Sequence, residues 1–114
     1  GDIVSGVWKD GRLGTFRAIV SGPAIYGGTA FTADGAVPAG GYAGYKVLLN
    51  QILDFFISGK SPISDDETIE IFAFMKASNM SKERGGKSVS LEEAYRAGEK
   101  EARKLVREYG PESK

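Results

Sequence analysis

Gly59, Pro62, Ser64 and Glu67 lie close together and require one helix to end and another to begin between them. Gly59 supplies the left-handed residue that commonly closes a helix. Pro62 cannot continue one. Ser64 with Glu67 forms a capping box: the Ser hydroxyl accepts from the Glu67 backbone N–H while the Glu carboxylate reaches back. Asp65, Asp66 and Glu67 then sit where the helix dipole favours negative charge, and Lys82 and Arg84 stand near the other end, before Gly85-Gly86.

The flanking periodicity gives three helices. Tyr45, Leu48, Leu49, Ile52, Phe55 and Phe56 recur at helical spacing, and Val47, Leu53 and Ile57 make a helix over about 43–58 apolar nearly all round. Such a helix belongs at the centre of a fold. The second, about 65–84, is expected to bury Ile69, Phe72, Ala73 and Met80, with Phe74 and Met75 widening its apolar surface. Ser90 and Glu93 make a second capping box opening a helix over 91–109. Its stripe is Leu91, Ala94, Tyr95, Ala102, Leu105, Val106 and Tyr109, and Gly110-Pro111 ends it.

Upstream, residues 3–8 and 15–20 are β-rich and flank Asp10-Gly11, a favourable turn dipeptide, which predicts an antiparallel hairpin with its loop around Lys9 to Gly14. Alternation puts Ile3, Ser5 and Val7 on one face and Val4, Gly6 and Trp8 on the other. Neither face is strongly polar, as in a sheet covered on both sides. A third strand is expected over 25–32, with Gly27-Gly28 marking a bulge or a close backbone approach. Residues 34–44, rich in Gly and containing Pro38, read as a loop, and residues 87–90 as a short strand or connector. The fold class is therefore α+β: one antiparallel sheet packed on three helices in a single domain, 1–114.

Composition narrows the chemistry. Lys plus Arg equals Asp plus Glu at 15 each, so charge argues for no nucleic acid and no acidic membrane surface as partner. There is no Cys and no His. Disulfides, thiolate nucleophiles, zinc-thiolate sites and any Ser-His-Asp triad are thereby excluded, leaving carboxylates, Lys and Tyr for proton transfer. No segment approaches a bilayer span. The chain reads as soluble, and the cytoplasm is favoured over the periplasm.

The glycines invite a nucleotide reading, but no Gly-x-Gly-x-x-Gly occurs. Residues 35–44 lack the preceding strand, the phosphate seat and the downstream acid of a dinucleotide site. Gly59-Lys60-Ser61 follows a helix, not a strand, so it is no Walker loop. No cofactor-binding residue is assigned. Asp65-Asp66-Glu67 is accounted for by capping, and no metal site or catalytic residue is assigned.

Trp8, Lys9, Asp10, Arg12, Arg17 and Tyr26 form the densest group of polar and aromatic side chains near strand ends. Arg offers planar bidentate donors and Trp or Tyr an apolar platform, which suits a sugar or carboxylate. Trp8, Arg12, Arg17 and Tyr26 are the candidate substrate-binding residues. The competing reading, which the residue pattern favours, is a hairpin tip whose charges solvate a turn, with Trp8 buried in an interface.

Two blocks carry a family resemblance. Phe55 to Met75 reads Phe-Phe-x-x-Gly-Lys-x-Pro-x-Ser-x-x-Glu-Thr-x-Glu-Ile-Phe-Ala-Phe-Met, followed by Ser81-Lys82-x-x-Gly85-Gly86-Lys87. Val4 to Arg17 and Tyr26 to Phe31 form the other. Together they resemble the C-terminal domain of the glucose-fructose oxidoreductase, inositol dehydrogenase and related (Gfo/Idh/MocA) sugar oxidoreductases. The resemblance implies the terminal part of a substrate-side and oligomerisation domain, inactive alone. It further implies that a full-length parent carries an N-terminal Rossmann domain with a catalytic Lys, uses NAD or NADP, and acts on a sugar, cyclitol or polyol. No Rossmann domain lies in this chain. Self-association through the sheet into a homo-oligomer is expected, since an open edge and bare apolar faces invite it. The alternative is a free-standing sugar-binding or assembly module sharing the domain but not the reaction.

Overall fold

The computed structural model describes residues 1–23, 26–41 and 44–110. It is α+β, with four strands, β1 (Ile3–Val7), β2 (Leu13–Arg17), β3 (Gly28–Thr32) and β4 (Gly35–Ala39), followed by α1 (Lys46–Ser58), α2 (Asp65–Glu83) and α3 (Leu91–Tyr109). Two compact units are present, Gly1–Lys60 and Ser61–Lys114.

In the first unit, β1 and β2 pair antiparallel with Val7 opposite Leu13 and Ile3 opposite Arg17. The turn is tighter than Lys9 to Gly14. Gly11 N–H donates to the Trp8 carbonyl at 3.0 Å and Trp8 N–H to the Arg12 carbonyl at 2.9 Å. This is a three-residue loop, Lys9-Asp10-Gly11, whose last residue needs a left-handed backbone; Gly11 has φ 87°. Because the loop closes at Arg12, the second strand begins at Leu13 and ends at Arg17, not over 15–20.

The third strand does not join that hairpin. Gly28–Thr32 pairs instead with Gly35–Ala39 in a second two-stranded sheet, Thr32 opposite Gly35 and Gly28 opposite Ala39. Ile25, the expected first residue of that strand, lies outside the described residues. The expected 34–44 loop is thus corrected to a turn and a strand. Ala33 and Asp34 form the turn, Thr32 Oγ1 accepts from Asp34 N–H at 3.2 Å, and Pro38 is tolerated because β4 is an edge strand. The register runs unbroken through Gly28, so no bulge forms there.

α1 ends where Gly59 predicts, with φ 68° and its N–H on the Phe55 carbonyl. Its all-round apolar surface remains open: Val47, Leu48, Leu49, Ile52, Leu53, Phe55, Phe56 and Ile57 are 39% to 85% exposed. Among the described residues of the first unit none covers this helix, so the central placement expected of it is not reached there.

The second unit is an antiparallel helical hairpin. Ser64 Oγ accepts from Glu67 N–H and Ser90 Oγ from Glu93 N–H, each at 3.1 Å, as the capping boxes require. α2 stops in a Schellman arrangement: Gly86 N–H reaches the Ser81 carbonyl and Gly85 N–H the Lys82 carbonyl. Gly85 takes φ 69° to allow it. Residues 87–90 are an extended connector. Lys76 bridges to both carboxylate oxygens of Glu101, and Arg84 donates to Glu93 at 2.7 Å, one pair at each end of the contact.

The core of this unit is alanine. Ala73 and Ala77 of α2 and Ala94 of α3 are the buried apolar residues among those described. Small residues let two helices approach closely, and long side chains flanking that seam then point outward. Ile69, Phe72, Tyr95, Leu105, Val106 and Tyr109, expected to be core, are exposed, while Met80 and Leu91 are half-buried.

Candidate functional site

The β1–β2 turn is the one place where the structure gathers several of the candidate residues. Trp8 and Arg12 flank the loop and share a face with Gly6 and Gly14, which oppose each other across the strands. Two glycines in register leave a floor without side chains. The Trp8 ring lies on it: a Cβ added to Gly14 would meet ring atoms at 3.0 and 3.1 Å. The Arg12 guanidinium sits over the ring, 5.6 Å from its centroid.

Asp10 holds that guanidinium in place. Its carboxylate accepts from Arg12 N–H at 3.1 Å and from Nε at 2.7 Å. These bonds, the backbone one foremost, hold the Asp10 carboxyl below the usual carboxylate range. The unit Asp10–Arg12–Trp8 is therefore satisfied within itself. One guanidinium donor, Nε, and one stacking face of Arg12 are thus already engaged. Asp10 and Arg12 are exposed, and Trp8 is half-buried by its own hairpin.

Arg17 stands elsewhere. It pairs with Ile3 at the far end of β2, four residues from Leu13, or about 13 Å along the strand. Tyr26 precedes β3 outside the hairpin and is 80% exposed. The structure thus brings Trp8 to Arg12 and leaves Arg17 and Tyr26 apart. The residue that sequence reasoning passed over is Gly14; its signal was the symmetric placement of Gly6 and Gly14 about the Asp10-Gly11 turn.

The glycine-rich segment requires one correction. A strand does precede it, since β4 ends at Ala39 and α1 begins at Lys46. The remaining requirements of a dinucleotide site are still missing: β4 is half of an antiparallel hairpin, and α1 leads to another helix, not to a second parallel strand. Gly59 closes a helix, so Gly59-Lys60-Ser61 does not seat a phosphate either.

Asp65, Asp66 and Glu67 occupy the first turn of α2. Among the described residues no group of three or more acidic side chains is arranged to hold a metal ion, and no helix is long and apolar enough to cross a membrane. Comparison with protein-family models, with curated proteins and with solved structures found no match.

Proposed function

We propose that this chain is an assembly and substrate-side domain, the C-terminal part of an NAD(P)-dependent sugar or polyol oxidoreductase, without catalytic activity by itself. The observation that carries the assembly reading is the inversion of burial. Small alanines are buried while Ile3, Val7, Leu13, Phe16, Phe31 and the whole apolar surface of α1 face outward. Fully burying a large apolar side chain is worth about 1.5–3 kcal/mol, so covering the eight exposed apolar residues of α1 would yield on the order of 10 kcal/mol. That is comparable to the whole stability of a typical domain. Surfaces of this kind are interfaces waiting for protein.

The oxidoreductase part of the reading rests on the Phe55–Met75 and Ser81–Lys87 blocks and their order after the Val4–Arg17 block. In such an enzyme the nicotinamide cofactor and the catalytic Lys would come from a separate Rossmann domain, and the residues described here would supply pocket walls and subunit contacts. The free-standing sugar-binding alternative is weaker, because Arg12 is already committed to Asp10 and Trp8.

Two measurements test the reading separately. The coding sequence upstream of Gly1 should encode a strand-turn-helix segment bearing Gly-x-Gly-x-x-Gly; a reading frame without one refutes the oxidoreductase part. Size-exclusion chromatography with light scattering should show self-association of this chain at micromolar concentration, and a monomer throughout refutes the assembly part.

A further inference from the structure

The assembly reading leaves open which surface pairs, and the hydrogen-bond phase of the first hairpin narrows it. Trp8 N–H donates to the Arg12 carbonyl and Ala18 N–H to the Asp2 carbonyl, both at 2.9 Å. In an antiparallel ladder, inward and outward backbone groups alternate along each strand. Asp2, Val4, Gly6 and Trp8 therefore turn their backbone groups toward β2, and Ile3, Ser5 and Val7 turn theirs away. This sheet has two strands, so that outer edge of β1 has no strand beside it among the described residues.

Edges are normally protected by charge, proline or a bulge. β1, Ile-Val-Ser-Gly-Val, has none of these, whereas β2 ends in Arg17 and β4 contains Pro38; β3, Gly-Thr-Ala-Phe-Thr, is likewise unprotected but carries fewer β-branched apolar residues than the Ile3, Val4 and Val7 of β1. The strand is also self-complementary. Laid antiparallel on a second copy about Ser5, it sets Ile3 against the second copy's Val7, Val4 against Gly6 and Ser5 against Ser5. The outward N–H and C=O groups of Ile3, Ser5 and Val7 then meet their own counterparts, as a two-fold interface demands. Across the four strands the middle row becomes Thr15, Ser5, Ser5, Thr15, a run of hydroxyls, with Leu13 and Val7 continuing into the second copy's Ile3. The two Arg17 side chains fall at opposite corners, so no like charges are opposed.

We infer that two copies of this chain associate by edge-to-edge antiparallel pairing of β1 centred on Ser5, forming a four-stranded sheet β2-β1-β1-β2. The inference rests on the assembly reading and specifies its surface. Ser5 is exposed and makes the only residue pair that meets itself, so charge placed there reports on the dyad alone.

The test uses the full chain in four samples: wild type, Ser5→Lys, Ser5→Glu and an equimolar mixture of the two variants, measured by light scattering and sedimentation over a concentration series. Like charges directly opposite destabilise a strand pair, so each variant alone should dissociate at least about fivefold more readily than wild type. The mixture should recover the dimer as a Lys–Glu heterodimer. Thr15→Lys, on the same face but removed from the dyad, should remain dimeric. Wild-type association unaffected by Ser5→Lys, or a mixture no tighter than either variant, overturns the β1 pairing while leaving the assembly reading intact. A monomeric wild type overturns both.

Discussion

Replacing Ala94 by Leu should loosen the helical hairpin, because Ala94 is 1% exposed in the first turn of α3, where the neighbouring Glu93 is paired with Arg84 at the C-terminal end of α2. Leu adds three carbons where the seam has no space for them. The helices must part or the side chain must leave its rotamer well, and overpacking of this kind costs about 1–3 kcal/mol. Parting the helices also stretches the Arg84–Glu93 and Lys76–Glu101 pairs that flank the seam. Those pairs are solvent-exposed and weak, so they add little to the cost. Leu and Ala differ by only a few tenths of a kcal/mol in intrinsic helix propensity, so Ala102→Leu, at an exposed position of the same helix, is the matched control. Urea unfolding followed by far-UV circular dichroism should show a midpoint lower by roughly 1 M for Ala94→Leu, given a slope of about 1–3 kcal/mol per molar. The control should stay near wild type. Equal midpoints for the two variants would refute the alanine seam as the packing core of α2 and α3.

Four further outcomes follow from the same geometry. Ser64→Ala and Ser90→Ala each remove a side-chain acceptor from a helix start and should lower stability by about 1 kcal/mol in the same urea assay. Gly85→Ala forces a side chain onto a left-handed backbone and should cost about 1–2 kcal/mol, with fraying at the end of α2 seen by amide exchange. Glu93 is held below the usual carboxylate range by the Arg84 guanidinium, and Asp10 by Arg12, so both favour the folded state when ionised. Their contribution is fully present above the unfolded-chain values of about 4 and is lost as pH falls through the lowered folded-state values. Glu93→Gln should flatten that acid limb in urea titrations at successive pH values. Trp8 is the only tryptophan, so Gly14→Ala, which intrudes on its ring, should shift the emission spectrum; sugars that bound there would shift it too, and none is expected to.

Local punctuation was legible wherever a few neighbouring residues decide the outcome. Gly59, Ser64, Ser90 and Gly85-Gly86 set the helix limits through hydrogen bonds that span at most five residues, and the helices begin and end within a few residues of expectation. β4 was missed because Gly35, Pro38 and Gly40 were weighed as loop chemistry, although Asp34-Gly35 carried the same turn signal as Asp10-Gly11. A pairing partner can override the low strand propensity of such a segment. At the candidate site, sequence position suggested that Arg17 belonged with Trp8 and Arg12. Register decided otherwise, since four residues of extended strand separate the two ends of β2.

The burial expectations failed for a different reason, which bears on function. α1 has the composition of a helix surrounded by protein, and Phe72, Leu105 and Tyr109 have the spacing of core residues, yet all stand in solvent. Hydrophobic periodicity states what a helix must bury; it does not state whose atoms do the covering. Where a stripe is satisfied within one chain, periodicity and burial agree. Here they disagree on α1, on the Ile3, Val7 and Leu13 face of the first hairpin and on the outer sides of α2 and α3. Within each unit these stripes stay uncovered, which is the observation behind the proposed assembly role, and at the hairpin tip the Nε of Arg12 is already on Asp10.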